Sequence, residues 1–172
     1  ATYINADFVS KFSNTDVRNL FVASSTITNP ADFRRYTTRK FKFNFGSDVP
    51  LIRTAEMILI DAEALARTPG KEAEAHDLLY ALQKNRDVNA VKSTNTGAAL
   101  IDEILLERRK ELYAENGVEW FDAKRLRKGI TRTGNHRIFK NLSADDKRFF
   151  LKVPQSEIDA NESIDDTVNK DR

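Results

Sequence analysis

The chain of 172 residues contains no cysteine, one tryptophan, one methionine and two histidines. Without cysteine it can form no disulfide, no thiolate nucleophile and no cysteine metal site. No apolar run approaches the roughly 20 residues that a membrane-spanning helix needs, and residues 1–10 lack the basic start and apolar stretch of a signal peptide. The 28 basic and 26 acidic side chains give a formal net charge of +2, which argues against nucleic-acid binding through bulk charge.

The aromatic residues divide the chain into two regions. Seven of the eleven phenylalanines precede residue 46, and Tyr80 is the only aromatic residue between positions 46 and 111. Residues 1–49 are rich in turn signals, and residues 40–45 alternate polar and aromatic side chains, which predicts a strand. We therefore expect residues 1–49 to be a loop- and strand-rich segment that packs on a helical region, residues 50–172.

Three stretches of the second region have the apolar spacing of amphipathic helices. They cover about residues 51–66, 71–86 and 98–115. The first ends at Pro69-Gly70 and the third at Asn116-Gly117, where glycine permits a left-handed cap. The first two helices and their turn take about 35 residues, close to the length of a tetratricopeptide hairpin. The expected fold class is mainly α, with tetratricopeptide-like hairpins, irregular loops and a few short strands, one of them at residues 149–154.

No catalytic or metal-binding pattern is present in the sequence. His76 follows Glu72 by four residues, a spacing that places both on one helix face, but no third ligand is near and a solvated face is the simpler interpretation. A triad order, a glycine-rich phosphate loop and a calcium loop are all missing. We therefore expect no enzymatic activity and no cofactor.

A charged run on the third predicted helix predicts a structural ion-pair network. Arg108 falls on the apolar stripe of that helix, so its charge is expected to be buried and paired. Asp122, which follows Trp120 in the next predicted helix, is the natural partner, with Glu107 as a neighbour. We favour this structural interpretation of Glu107, Arg108, Trp120 and Asp122 over a ligand site.

Two other segments have the side chains of a ligand site. Arg34 and Arg35 precede Tyr36, and a ring beside guanidiniums is typical of sugar binding, although buried packing of Phe33 is an equally open interpretation. Residues 124–137 contain six basic side chains and no acidic one, which makes this the segment suited to contact phosphates, lipid head groups or an acidic substrate. Aromatic residues do not alternate with these bases, so nucleic-acid binding is only a minor alternative.

Three motifs resemble those of one family, the SusD/RagB proteins. Residues 51–64 (LIRTAEMILIDAEA) are similar to that family's Leu-Ile-Arg-Leu-Ala-Glu-Met helix. Residues 107–112 (ERRKEL), followed by Gly117, Trp120-Phe121-Asp122 and residues 124–126, resemble its second signature, and residues 153–161 (VPQSEIDAN) resemble its closing segment. The three motifs occur in the family's order and cover roughly residues 48–162.

The resemblance implies a non-catalytic, surface-exposed lipoprotein of Bacteroidetes. Such proteins lie on the extracellular face of the outer membrane and deliver an oligosaccharide or peptide nutrient to a TonB-dependent, SusC-like transporter. Whole members are about three times as long, so the resemblance places this chain in the C-terminal portion and the lipid anchor outside it. In that family the motifs form the framework, which leaves Arg34, Arg35 and Tyr36 as the hypothetical ligand contacts. The alternative function is that of a tetratricopeptide-type module for protein–protein interaction.

Overall fold

The computed structural model describes residues 2–41, 46, 48 and 50–170. Within these residues the fold is mainly α, as predicted, with short strands and two single turns of 3-10 helix. The helices are α1 (Ala6–Val9), α2 (Thr54–Ala66), α3 (Glu72–Gln83), α4 (Gly97–Leu112), α5 (Val118–Arg125) and α6 (Gln155–Ala160). The strands are β1 (Tyr3–Ile4), β2 (Phe21–Ala23) and β3 (Tyr36–Thr38). None of these helices is long and apolar enough to cross a membrane.

Helices α2, α3 and α4 share an aliphatic core. Leu59, Leu79, Leu100 and Ile104 are fully buried there, and burial of such side chains contributes about 1.5–3 kcal/mol each. Small residues on the facing surfaces, including Ala62, are also fully buried and let the helices approach closely. The turn between α2 and α3 is closed by Gly70, whose φ of +77° is a conformation that suits glycine.

A three-stranded antiparallel sheet, in the order β1-β3-β2, organises the first part of the chain. Its residues pack with α1 around a small aromatic core formed by Phe8, Phe12, Phe21 and Tyr113. The rings of Phe8 and Phe12 meet edge to face, with centroids 5.1 Å apart. Tyr113 comes directly after α4, so the aromatic core includes a residue that follows the helical core along the chain.

The chain divides into two compact units. The first contains residues 1–119 and 133–137, and the second contains residues 120–132 and 138–172. The predicted boundary between residues 49 and 50 rests on composition and stays a prediction. Both the aromatic and the aliphatic core lie in the first unit.

The second unit holds most of α5, a β-bridge between Ile130 and Leu142, and α6. Its most buried aromatic contact joins Trp120 and Phe149, with ring centroids 4.8 Å apart. Asp146 caps the 3-10 turn Lys147–Phe149 by accepting a hydrogen bond from the Arg148 backbone N–H at 2.9 Å.

Two local predictions differ from the structure. Helix α4 ends at Leu112 and not at about residue 115, because Tyr113 takes an extended backbone (φ −58°, ψ 140°) that turns the chain out of the helix. The strand predicted at residues 149–154 is wrong, because the cap at Asp146 starts a 3-10 turn instead and the following residues pair in no strand. The strand predicted at residues 40–45 falls mostly on residues 42–45, outside the described part of the chain.

Candidate functional site

A buried ion-pair network lies where α4 meets four other chain segments, and we call it the Glu111 network. Glu107 and Glu111 are one helical turn apart on α4, and Glu115 lies three residues beyond the end of that helix. All three are less than 8% exposed. The other members are Asp16, Arg18, Lys40, Arg53, Arg86 and Lys110.

The carboxylate of Glu111 is shared by three guanidiniums. Arg18 Nη1 and Arg53 Nη1 lie 3.0 Å and 2.7 Å from its two oxygens. Arg86 binds both oxygens through Nε and Nη2, each at 3.0 Å. Such a bidentate pair is stronger and more directional than a single contact.

The same network holds the loop-rich first region against the helices. Lys40 Nζ donates to the backbone oxygens of Glu111 and Tyr113, each at 2.9 Å, and pairs with Glu115. Arg18 binds Asp16 through two hydrogen bonds, and Lys110 Nζ lies 3.0 Å from the same carboxylate. Residues far apart in sequence are therefore joined through carboxylates that are buried.

Two carboxylates of the network, Glu111 and Asp16, are held in their charged form. Burial raises the pKa of Glu111, but hydrogen bonds from Arg86 and Arg53 outweigh it and bring that pKa down to about 2. The pKa of Asp16 is likewise raised by burial and lowered more strongly by Arg18, again to about 2. A group that stays charged and fully paired near neutral pH is poorly suited to act as a general acid or base.

The four residues of the predicted structural network occupy different places. Glu107 is buried in the Glu111 network, 2.6 Å from Arg18 Nη1. Arg108 is buried, as its position on the apolar stripe indicates, and its Nη2 donates to Glu56 Oε1 at 2.8 Å. In the second unit, Trp120 packs on Phe149 and Asp122 accepts from Arg125 Nε at 2.8 Å. That all four form one network stays a prediction.

A second group of side chains lies at the surface of the first unit, and we call it the Phe33 cluster: Tyr3, Phe33, Arg34 and Arg137. The Tyr3 and Phe33 rings meet edge to face, with centroids 5.6 Å apart. The guanidinium carbons of Arg34 and Arg137 lie 5.7 Å and 5.5 Å from the Phe33 centroid, within the range of cation–π attraction. Tyr3 is 46% exposed, so part of its ring is open to solvent.

The segment that carries Arg137 is fixed by the buried side chain of Asn135. Its amide oxygen accepts from the Ala6 backbone N–H at 2.7 Å, and its amide nitrogen donates to the Asp32 backbone oxygen at 2.8 Å. Asn5 adds a hydrogen bond to the Thr133 backbone oxygen at 2.7 Å. Three separate stretches of the chain thus meet beneath the Phe33 cluster.

The residues predicted to bind ligand are in different environments. Arg34 is exposed and paired with Asp32. Arg35 is partly buried, and its Nη1 donates to the backbone oxygens of Ser24 and Ile27, the latter at 2.9 Å. Tyr36 lies in the central strand β3 and packs against the aromatic core. Their role in ligand binding stays a prediction.

The basic segment at residues 124–137 is partly neutralised in the fold. Arg125 pairs with Asp122, and Arg127 pairs with Asp145. Acidic residues on either side of the segment therefore compensate charges that looked isolated in the sequence. Among the described residues, no group of three histidine, cysteine or carboxylate side chains could hold a metal ion.

One member of the Phe33 cluster, Tyr3, was not identified as a candidate from the sequence, and Arg137 was identified only as part of the basic segment at residues 124–137. Tyr3 and Arg137 lie 134 positions apart, and no local spacing connects them. The sequence signals near Arg137 were the run of basic side chains and the turn-rich composition around Gly134, which indicate a charged, irregular segment but not its neighbours.

Comparison with known proteins finds one matching family and similar solved structures. The SusD family model matches residues 23–169. A SusD-like carbohydrate-binding protein from Bacteroides vulgatus ATCC 8482 is similar in structure, with a TM-score of 0.75 and 22% identity over 98% of this chain and 40% of that one. A SusD superfamily protein from Bacteroides fragilis has a TM-score of 0.62 and 26% identity over 95% of this chain and 35% of that one. The chain thus spans two fifths or less of these structures, and no curated protein matches it.

Proposed function

Because this chain belongs to the SusD family, we propose that it serves in non-catalytic binding of a nutrient, most simply a glycan, at the bacterial cell surface. The observation that carries the proposal is the family match over residues 23–169. In this proposal the protein sits on the extracellular face of the outer membrane, held by a lipid anchor outside this chain. It passes an oligosaccharide or peptide to a SusC-like, TonB-dependent transporter.

The chemistry of the described residues supports binding over catalysis. The buried carboxylates Asp16 and Glu111 have pKa values of about 2 and are occupied by arginines. The exposed Phe33 cluster, in contrast, offers a ring surface and guanidinium donors. Rings and donors recognise a sugar without altering its bonds.

A glycan and peptide array tests the proposal. We expect the chain to bind at least one oligosaccharide and to leave it chemically unchanged on prolonged incubation. Tyr36→Ala in the same chain tests the predicted contact of that ring: unchanged affinity would remove Tyr36 from the site. Circular dichroism must first show that this variant keeps its fold, because Tyr36 also packs against the aromatic core.

One observation supports the alternative of a protein-interaction module. Met57 and Ile60 lie three residues apart on α2 and are 46% and 48% exposed, which leaves part of that helix free for a partner. Expression of residues 1–172 alone separates the two proposals. Cooperative unfolding of a soluble monomer that binds no saccharide favours the module. Saccharide binding supports the nutrient-binding proposal.

A further inference from the structure

The Phe33 cluster contains a cation without a counter-charge. Arg137 is exposed, and its guanidinium forms no hydrogen bond or ion pair with any residue in the described part of the chain. Its guanidinium carbon lies over the Phe33 ring, 5.5 Å from the ring centroid. The five N–H donors of such a group remain available to a ligand.

The neighbouring Arg34 is held in a fixed orientation. Its Nε and Nη2 donate to the two oxygens of Asp32 at 3.0 Å and 2.7 Å. This fork uses one edge of the guanidinium and leaves Nη1 free of those contacts. Arg34 therefore offers a hydrogen-bond donor, but its charge is already balanced by Asp32. Arg137 offers donors together with a charge that no carboxylate of the described residues balances.

We propose that the Phe33 cluster binds a glycan that carries a carboxylate, with a sugar ring against Tyr3 and the carboxylate on Arg137. This inference rests on the proposed function and names its substrate class, an acidic oligosaccharide. Tyr3 and Arg137 both contact the ring of Phe33, so a short oligosaccharide can reach both.

The chemistry of Arg137 distinguishes acidic from neutral sugars. A guanidinium has donors only and a permanent charge, and its planar fork matches the two oxygens of a carboxylate. A neutral sugar offers hydroxyl groups, which pair equally well with uncharged side chains. An unpaired arginine beside an exposed ring therefore favours a ligand that supplies the missing negative charge.

The site is organised before ligand arrives. Asn135, 3% exposed, ties the Arg137 segment to Ala6 and Asp32. Gly134 lets the Arg137 segment pack closely against Asn5 and Asp7, because a Cβ at position 134 would lie 2.8 Å from the side-chain oxygens of both residues. A preorganised site loses less conformational entropy on binding.

The test uses uronic-acid trisaccharides, each compared with its own methyl ester, in calorimetric titrations of the full chain. The ester keeps the sugar ring and removes the charge, at the cost of one added methyl group. We expect at least one acid to bind about tenfold more tightly than its ester, as a hydrogen-bonded charge pair suggests. That preference should shrink as salt is added.

Three variants assign the effect to residues. Arg137→Gln should abolish the preference for the acid, and Arg137→Lys should keep only part of it because the fork is lost. Tyr3→Ala should weaken acid and ester by the same factor. Arg39→Gln, an exposed arginine outside the cluster, is the matched control and should change neither affinity.

The outcomes separate this inference from the proposed function. Equal binding of acid and ester, or a preference unchanged by Arg137→Gln, overturns the acidic-glycan site and leaves glycan binding standing. A chain that binds acidic peptides but no saccharide overturns the acidic-glycan site, whereas a chain that binds neither saccharide nor peptide contradicts both. Because the acid–ester comparison is made in the unaltered chain, it remains decisive even where a variant fails to fold.

Discussion

The Glu111 network and the Phe33 cluster place the same side chain, arginine, in different environments. In the network, Arg18, Arg53 and Arg86 converge on one buried carboxylate. In the cluster, Arg34 and Arg137 flank an aromatic ring at the surface. An arginine whose donors are all used inside the protein contributes to the fold, and one whose donors face solvent is available for recognition. Pairing, more than residue type, distinguishes Arg137 from the arginines of the network.

Removing the central carboxylate should give the largest effect. Glu111→Gln leaves three guanidiniums around a neutral amide, and breaking a buried pair in this way costs about 3–5 kcal/mol of unfolding free energy. Urea denaturation at neutral pH measures the loss. The matched control is Glu119→Gln, because Glu119 pairs with Arg109 at 2.9 Å while 58% exposed, and we expect at most about 0.5 kcal/mol there. Equal losses in the two variants would show that the buried network stabilises the fold no more than an exposed ion pair does.

Acid should weaken the Glu111 network. Folding lowers the pKa of Glu111 from 4.5 and that of Asp16 from 3.8, each to about 2. Their stabilisation is therefore complete above about pH 4.5 and is lost as pH falls toward 2, by up to about 1.4 kcal/mol per pH unit for each group.

Unfolding free energies between pH 6 and pH 3 check this expectation. Other carboxylates also titrate in that range, so the informative quantity is the difference between the unaltered chain and Glu111→Gln. The variant should show a shallower loss. Parallel curves would mean that Glu111 is protonated in the folded chain at the same pH as in the unfolded one.

A smaller effect should follow from adding a methyl group beneath the cluster. Gly134 has a φ of +68°, and its Cβ would meet the side chains of Asn5 and Asp7. Gly70 has a similar φ of +77° but open space around it. We expect Gly70→Ala to cost about 1 kcal/mol from backbone strain and Gly134→Ala to cost about 1 kcal/mol more.

The same pair of glycine variants tests the organisation of the cluster. Gly134→Ala should also reduce the preference for acidic over esterified saccharide, because it moves the segment that carries Arg137. Gly70→Ala should leave that preference intact. If both variants bind alike, the position of Arg137 does not depend on the close packing at Gly134.

The helical part of the fold could be predicted from the sequence because its signal is local. Apolar residues three and four positions apart define one face of a helix, and the buried Leu59, Leu79 and Ile104 lie on those faces. The burial of Arg108 followed from the same periodicity. Its contact with Glu56 did not, because Glu56 is 52 residues away on another helix.

The sheet and the candidate site depend on distant contacts and could not be predicted in this way. Strands β1 and β3 are two and three residues long, too short for an alternating pattern to appear. The Phe33 cluster joins residues that are far apart in the chain, from Tyr3 to Arg137. The family signatures are framework motifs, so they identified the fold without pointing to these surface residues.

The position of Asn135 has a consequence for how the chain can be divided. Residues 133–137 belong to the first unit, although the residues on both sides of them belong to the second. The backbone therefore passes from one unit to the other three times, and no single cut yields both units intact. A truncation after residue 119 would remove Asn135 and leave the Ala6 N–H and the Asp32 carbonyl without the partner that each has here. The two units are thus interleaved along the sequence, and neither corresponds to one continuous segment of the chain.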